Sequence, residues 1–123
     1  IQGFAADAVK LDTRSGTEFV GTEQRKKAAK KGRIPGSKHV EWFTVLRTEQ
    51  DQRLKSVDEL KAFFGDLGIT PGQTKVLTYC QSGTRSAAVF FALHQLGAGP
   101  DTVLNYDGSW AEYSRLDLPV AVN

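Results

Sequence analysis

The sequence KVLTYCQSGTRS (Lys75–Ser86) decides the fold. Its mostly apolar first half predicts a buried strand, and the apolar residues after it predict a helix over Ser86–Leu96 that stops at Gly97. A strand that turns directly into a helix is typical of a sheet with helical connections. The turn places the intervening Cys80 at the carboxyl edge of that sheet. Cys80 is the only cysteine among the 123 residues.

The rest of the chain alternates between strand and helix patterns. We expect strands at Ala8–Asp12, His39–Phe43 and Thr102–Tyr106, a helical turn at Thr17–Val20, a capped helix from Ser56 to Gly68 and a final helical segment from Asp107. This alternation predicts an α/β fold with helices on both faces of a mostly parallel sheet. The length fits a single domain over residues 1–123, and we find no internal repeat.

Composition narrows the class of protein. An apolar content of 40% and a mean hydropathy of -0.34 are ordinary for a globular domain. One cysteine excludes an internal disulfide, and the longest apolar run, Ala87–Leu93, is too short to span a membrane. We therefore expect no membrane partner and a cytoplasmic location. Because the chain begins at Ile1 and has no methionine, we expect a processed product or a fragment of a longer protein.

Positive charge is concentrated in one segment of the chain. Gly21–Arg33 contains six basic residues and one acid, so it carries +5 against +2 for the whole chain. A solvated surface loop or short helix is one explanation, and electrostatic steering of a small anionic substrate is another. No aromatic residue lies between these charges to stack on bases, so we expect no nucleic-acid partner.

The residues around Cys80 favour a reactive thiol. At the start of a helix, free backbone N–H groups and the positive end of the helix dipole favour a thiolate. Gly83 lets the turn fold tightly, and Arg85 adds a positive charge. A buried structural cysteine is the alternative, but Gln81–Arg85 has no large apolar side chain to surround one. The sequence therefore predicts a catalytic or sulfur-carrying cysteine.

The other residues that carry chemistry are expected to be structural. His94 lies well along the helix after the loop, and His39 is far from Cys80 in the sequence, so we expect neither to act as a base. Because the histidines and the cysteine are not clustered, we expect no metal and no cofactor. Asp12 and Arg14 either tune the loop or form a buried ion pair at the end of the first strand.

Several stretches of the sequence resemble the rhodanese sulfurtransferases, and the likeness covers nearly the whole chain. They are Leu11–Arg14, Gly32–Ser37, Cys80–Arg85, and Tyr106–Trp110 followed by Leu118–Val120. The resemblance implies a rhodanese-like, three-layer α/β/α fold with about five strands. The cysteine loop and the Gly-Ser-Trp ending look most like the catalytic carboxyl-terminal half of tandem-domain thiosulfate or 3-mercaptopyruvate sulfurtransferases. The implied protein has two domains, with a second rhodanese domain as a partner of this one.

The resemblance also implies a reaction. Cys80 would take the outer sulfur of thiosulfate or 3-mercaptopyruvate, hold it as a persulfide and pass it to cyanide or a thiol. The implied partners are therefore a small anionic donor and a thiophilic acceptor. Backbone N–H groups of the loop would cradle the persulfide. Substrate contacts are implied for the remaining loop residues, which are Gln81, Ser82, Gly83, Thr84, Arg85 and Ser86.

Two positions depart from the family pattern, and three other functions are alternatives to an enzyme that transfers sulfur. Arg33 stands where many members have histidine, and Glu18 stands where many tandem enzymes have a basic residue that contacts the donor. A sulfur-relay carrier would need the same cysteine. A phosphatase or arsenate reductase of this fold needs five residues between cysteine and arginine, whereas four separate Cys80 from Arg85. Inactive interaction modules of the family typically lack the cysteine.

Overall fold

A parallel sheet forms the centre of the structure, a computed structural model that describes residues 7–48, 50–51 and 53–122. In this part of the chain the strands are β1 (Val9–Asp12), β2 (Lys38–His39), β3 (Val76–Tyr79) and β4 (Val103–Asn105), in the spatial order β2-β1-β3-β4. The helices are α1 (Gly16–Val20), α2 (Val57–Asp66), α3 (Thr84–Gln95) and α4 (Ser109–Tyr113), with a 3₁₀ helix at Trp42–Val45. The predicted α/β class is confirmed, with four described strands beside the expectation of about five.

Helices cover both faces of the sheet, as the alternating pattern predicts. One face carries Leu11, Val76 and Val103 against α2 and α3. The other carries Leu77 and Tyr79, which pack in a second cluster with α4. All four residues of β3 are buried, which suits a central parallel strand covered on both faces. Among the described residues, no helix is long and apolar enough to cross a membrane.

The second strand is shorter than the sequence pattern predicts. Extended chain was expected over His39–Phe43, but β2 ends at its second residue and the 3₁₀ helix follows shortly after. Val40 and Val45 both enter the core cluster beneath α2 and α3. Residues five apart in a strand point to opposite faces, so a straight strand would separate these two side chains. Core packing therefore overrides the alternating pattern here.

The basic segment forms an irregular surface loop that is attached to α4. The indole N–H of Trp110 donates to the Lys30 carbonyl oxygen at 2.9 Å, and the Ala29 N–H donates to the Ser114 hydroxyl at 2.9 Å. Most of the basic side chains of the segment are exposed, with those of Lys26, Lys27 and Lys31 among them. The solvated-loop interpretation of this segment is therefore confirmed in structural terms.

A buried ion pair closes the end of β1. The Arg14 side chain is 2% exposed and that of Asp12 is 0% exposed, and Arg14 Nη2 lies 2.6 Å from Asp12 Oδ2. The same nitrogen donates to the Gly32 carbonyl oxygen at 2.7 Å, and the guanidinium lies 4.9 Å from the centroid of the Trp110 ring. Burial lowers the pKa of Arg14, but the hydrogen bond and charge of Asp12 outweigh it and raise the pKa. The ion-pair alternative is confirmed.

We expect Asp12→Asn to lower the free energy of unfolding by roughly 3 kcal/mol, because it leaves the buried Arg14 charge without its counter-charge. Asp51→Asn is the matched control, since Asp51 and Arg53 have the same spacing in the sequence and an Nε–Oδ1 distance of 2.9 Å but lie at the surface. Urea denaturation of both variants measures the difference. Equal losses in the two variants would contradict the role assigned to the buried pair.

Candidate active site

Cys80 follows directly after β3, and its backbone is fixed by α4. Its N–H donates to the Ser109 hydroxyl at 3.0 Å, and its carbonyl oxygen accepts from the Trp110 N–H at 2.9 Å. The residue is 1% exposed. The strand end and the short helix together therefore hold the cysteine in one position beneath the loop.

The sulfur of Cys80 is surrounded by hydrogen-bond donors of the loop. The Gly83 N–H donates to Sγ at 3.1 Å. Burial raises the pKa of the thiol, but hydrogen bonds from the Ser86 N–H and hydroxyl, and then from the N–H groups of Ser82 and Gly83, lower it below its ordinary value. These donors stabilise the charged form of the sulfur, so the site favours a thiolate.

Gly83 makes the tight turn of the loop possible. Its φ angle of +92° is in the left-handed region, and a Cβ atom at this position would lie 2.9 Å from the Asp107 carbonyl oxygen. With Gly83 as its N-cap, α3 begins at Thr84, so the predicted start at Ser86 is wrong by two residues. The helix starts as soon as the glycine has reversed the chain, and Ser86 therefore lies in its first turn.

Asn105, which sequence reasoning did not single out, supports the loop from β4. Its amide Nδ2 donates to the Gly83 carbonyl oxygen at 3.2 Å, and its Oδ1 accepts from Ser86 at 2.6 Å and from Thr78 at 3.0 Å. The Ser86 hydroxyl also donates to the Gly83 carbonyl oxygen at 3.1 Å, so these two oxygens and the Cys80 sulfur share its single proton. Thr78 and Asn105 are paired in register on neighbouring strands, and this pair of polar residues is the sequence signal that could have identified Asn105.

Ser109 is a second supporting residue that sequence reasoning left without a role. It is fully buried, and its φ angle of 51° lies in the left-handed region, which is costly for a residue other than glycine. Its hydroxyl donates to the Tyr106 carbonyl oxygen at 2.6 Å and accepts from the Cys80 N–H. The Gly-Ser-Trp motif marked this position, but only the structure shows the contact with Cys80.

The remaining predicted contact residues have different surroundings. The side chains of Ser82 and Thr84 are exposed on the loop. The amide Nε2 and Oε1 atoms of Gln81 are buried without a hydrogen-bond partner among the described residues. A buried amide without a hydrogen-bond partner is energetically costly. Gln81 is therefore suited to bind a polar group of a bound molecule.

The sequence predicts that Arg85 adds a positive charge beside the thiol, but in the structure this charge is not free. Its Nη1 and Nη2 atoms donate to the two carboxylate oxygens of Glu18 at 2.8 Å and 3.1 Å. Glu18 is 1% exposed and accepts a further hydrogen bond from the Ser15 hydroxyl at 3.0 Å. The positive charge expected beside the thiol is therefore paired with a buried carboxylate.

In the described part of the chain, neither histidine has a hydrogen bond or a ring contact with the residues of the loop. The Nε2 atom of His39 is 2.7 Å from the Arg14 carbonyl oxygen, and its ring lies against Phe19. His94 is exposed near the end of α3. In the part of the chain that the structure describes, no three histidine, cysteine, aspartate or glutamate side chains are grouped to hold a metal ion.

A comparison with protein families identifies the fold. The chain matches the rhodanese-like domain over residues 4–116. It belongs to the rhodanese family of sulfurtransferases. Among curated relatives, this rhodanese domain is 34% identical to a thiosulfate sulfurtransferase of Pseudomonas aeruginosa, over 96% of this chain and 41% of that protein. It is 35% identical to the sulfur carrier protein TtuD of Thermus thermophilus, over 90% of this chain and 40% of that protein.

The rhodanese domain spans about two fifths of the length of these curated relatives. Among solved structures, it resembles EanB in a complex with ergothioneine that is covalently linked with a cysteine persulfide. That likeness has a TM-score of 0.81 and 26% identity, and it covers 96% of this chain and 29% of EanB. The rhodanese-like fold expected from the sequence is confirmed.

We expect Ser86→Ala to raise the pKa of the Cys80 thiol, because it removes a hydroxyl that stabilises the thiolate. The pH dependence of alkylation by iodoacetamide measures this pKa, since only the thiolate reacts. Ser82→Ala is the matched control, because the loop uses the backbone N–H of Ser82 and its side chain is exposed. An unchanged alkylation profile in Ser86→Ala would remove the hydroxyl from this role.

Proposed function

We propose that this rhodanese domain transfers sulfane sulfur from a small anionic donor to a thiophilic acceptor through a persulfide on Cys80. The observation that carries the proposal is the sulfur itself, which is buried at a helix start among N–H donors that lower its pKa. A negatively charged terminal sulfur would need the same donors as the thiolate does. Loop N–H groups are therefore suited to both states of a two-step reaction.

In the proposed first step, the thiolate electron pair of Cys80 attacks the outer sulfur of thiosulfate. A bond forms between the two sulfur atoms, the sulfur–sulfur bond of thiosulfate breaks, and sulfite leaves with the bonding electrons. With 3-mercaptopyruvate the carbon–sulfur bond breaks instead, and the carbon takes up the thiol proton to give pyruvate. In the second step, cyanide or a thiolate attacks the outer sulfur and regenerates the Cys80 thiolate.

A persulfide carrier without strong turnover of small donors is the second candidate. The name of the Thermus thermophilus relative, a sulfur carrier protein, favours it. The burial of Cys80 also suits a sulfur that is protected between loading and delivery. An enzyme and a carrier share the first step and differ in whether a small donor loads the cysteine quickly, so kinetics with purified protein separate them.

The same-fold phosphatase is the weakest candidate. Four residues lie between Cys80 and Arg85, and the guanidinium is bound to Glu18, so the loop lacks a free arginine to encircle a tetrahedral oxyanion. An interaction module without catalysis has no need of a thiol with a lowered pKa. The second rhodanese domain and the cytoplasmic location inferred from the sequence stay predictions.

We expect the protein to gain one sulfur atom after incubation with thiosulfate or, separately, with 3-mercaptopyruvate, because the Cys80 thiolate is the nucleophile. Intact-mass spectrometry measures the gain, and added cyanide should reverse it. Cys80→Ala is the control and should gain nothing. A sulfur adduct in that variant would show that the transfer does not depend on Cys80.

The rate at which the protein gains sulfur distinguishes the enzyme from the persulfide carrier. The enzyme is favoured if a small donor loads Cys80 with sulfur in a single turnover faster than the protein transfers sulfur to cyanide at steady state. Loading by neither donor, with loading by a protein persulfide, favours the carrier. Failure of all three donors to add sulfur would reject sulfur transfer by this domain.

A further inference from the structure

Glu18 is a buried carboxylate whose strongest partner is the loop arginine. Both of its oxygens accept from Arg85, at 2.8 Å and 3.1 Å, which is the bidentate arrangement of the strongest ion pairs. The N–H and hydroxyl of Ser15 add bonds to Oε1 at 3.3 Å and 3.0 Å as part of the capping box of α1. Burial raises the pKa of Glu18, but the bonds from Arg85 and Ser15 outweigh it and lower the pKa.

Arg85 lies close enough to Cys80 for their charges to interact. Burial lowers the pKa of Arg85, the bonds and charge of Glu18 raise it more, and the charge of the Cys80 thiolate adds to the rise. The arginine side chain is 24% exposed, so part of it is in contact with solvent. Without Glu18 it would be a free cation beside the thiolate.

A second arginine, Arg25, is also paired with Glu18. Arg25 is 49% exposed, and its Nη2 atom lies 3.5 Å from Glu18 Oε1 while its Nε atom lies 3.0 Å from Glu23 Oε2. Two arginines and two glutamates therefore form one group without net charge beside the loop. A dianion that approaches the negatively charged sulfur meets paired cations, and the approach is opposed by repulsion from the thiolate.

We propose that Glu18 is a specificity-determining residue, which holds Arg85 and thereby favours sulfur donors with one negative charge over the thiosulfate dianion. The inference rests on the proposed function and assigns it a substrate class. A monoanion such as 3-mercaptopyruvate needs less compensation near the thiolate than a dianion does. Glu18 acts through Arg85 and touches no reacting atom, so it is a positioning residue.

Glu18→Gln tests the inference, because glutamine keeps the shape of the side chain and its place in the capping box but removes the charge. We expect kcat/KM for thiosulfate to rise about tenfold, mainly through a lower KM, because Arg85 becomes a free cation. We expect kcat/KM for 3-mercaptopyruvate to change by less than about twofold. The ratio of the two donors cancels any change in thiol reactivity, which alkylation by iodoacetamide reports separately.

Glu23→Gln is the matched control, since Glu23 shares Arg25 with Glu18 but is bound to Thr17 and lies at the surface. We expect it to leave the donor ratio unchanged. In the double variant Glu18→Gln with Arg85→Gln, the gain for thiosulfate should disappear. A gain that survives there would show that Arg85 is not the group that Glu18 controls, and would overturn the inference.

The outcomes also separate this inference from the function on which it rests. Absence of sulfur transfer with every donor in the parent protein would reject the proposed function and this inference with it. Transfer in the parent, with the same donor ratio in Glu18→Gln, would overturn the inference alone. Circular dichroism and urea denaturation of Glu18→Gln establish that the comparison is made on folded protein.

Discussion

The site depends on a reversal of the chain between β3 and α3 that a single glycine makes possible. Burial of a sulfur atom opposes its ionisation, and the loop reverses this effect by bringing backbone N–H groups onto Cys80. They converge only because Gly83 adopts a left-handed conformation in contact with the Asp107 backbone. The chemistry of the thiol is therefore set by backbone geometry, to which the side chain of Ser86 adds one donor.

A polar network beneath the loop keeps this geometry in place. Asn105 joins β4 to the carbonyl oxygen of Gly83, and Ser109 holds the N–H of Cys80 at the cost of an unfavourable backbone angle. Both residues are held by further hydrogen bonds, which offset that cost. The loop is thus preorganised before a donor binds, and binding energy is not needed to assemble it.

The sequence predicts those parts of the fold that depend on neighbouring residues. The strand before Cys80, the glycine turn and the helix after it are encoded within twelve residues, and their pattern is accessible without a structure. The pair of Glu18 with Arg85 joins residues 67 positions apart, and no local pattern specifies such a contact. For the same reason Ser109 was noticed as part of a motif but not as the partner of Cys80, 29 positions away.

The distance between these partners in the sequence has a consequence for biosynthesis. The β3 strand pairs with β1, which is made long before it, and the Cys80 backbone is fixed by Ser109, which is made after it. Neither contact can form until both of its partners have been made, and each requires the chain between them to close a loop. The donors that lower the pKa of the thiol lie within six residues of Cys80, but the Cys80 backbone is fixed by α4 only when the chain has been made as far as Ser109. The fixed position of the active-site cysteine is in this way a property of a chain that reaches α4, whereas the donors around its sulfur are supplied by the loop itself.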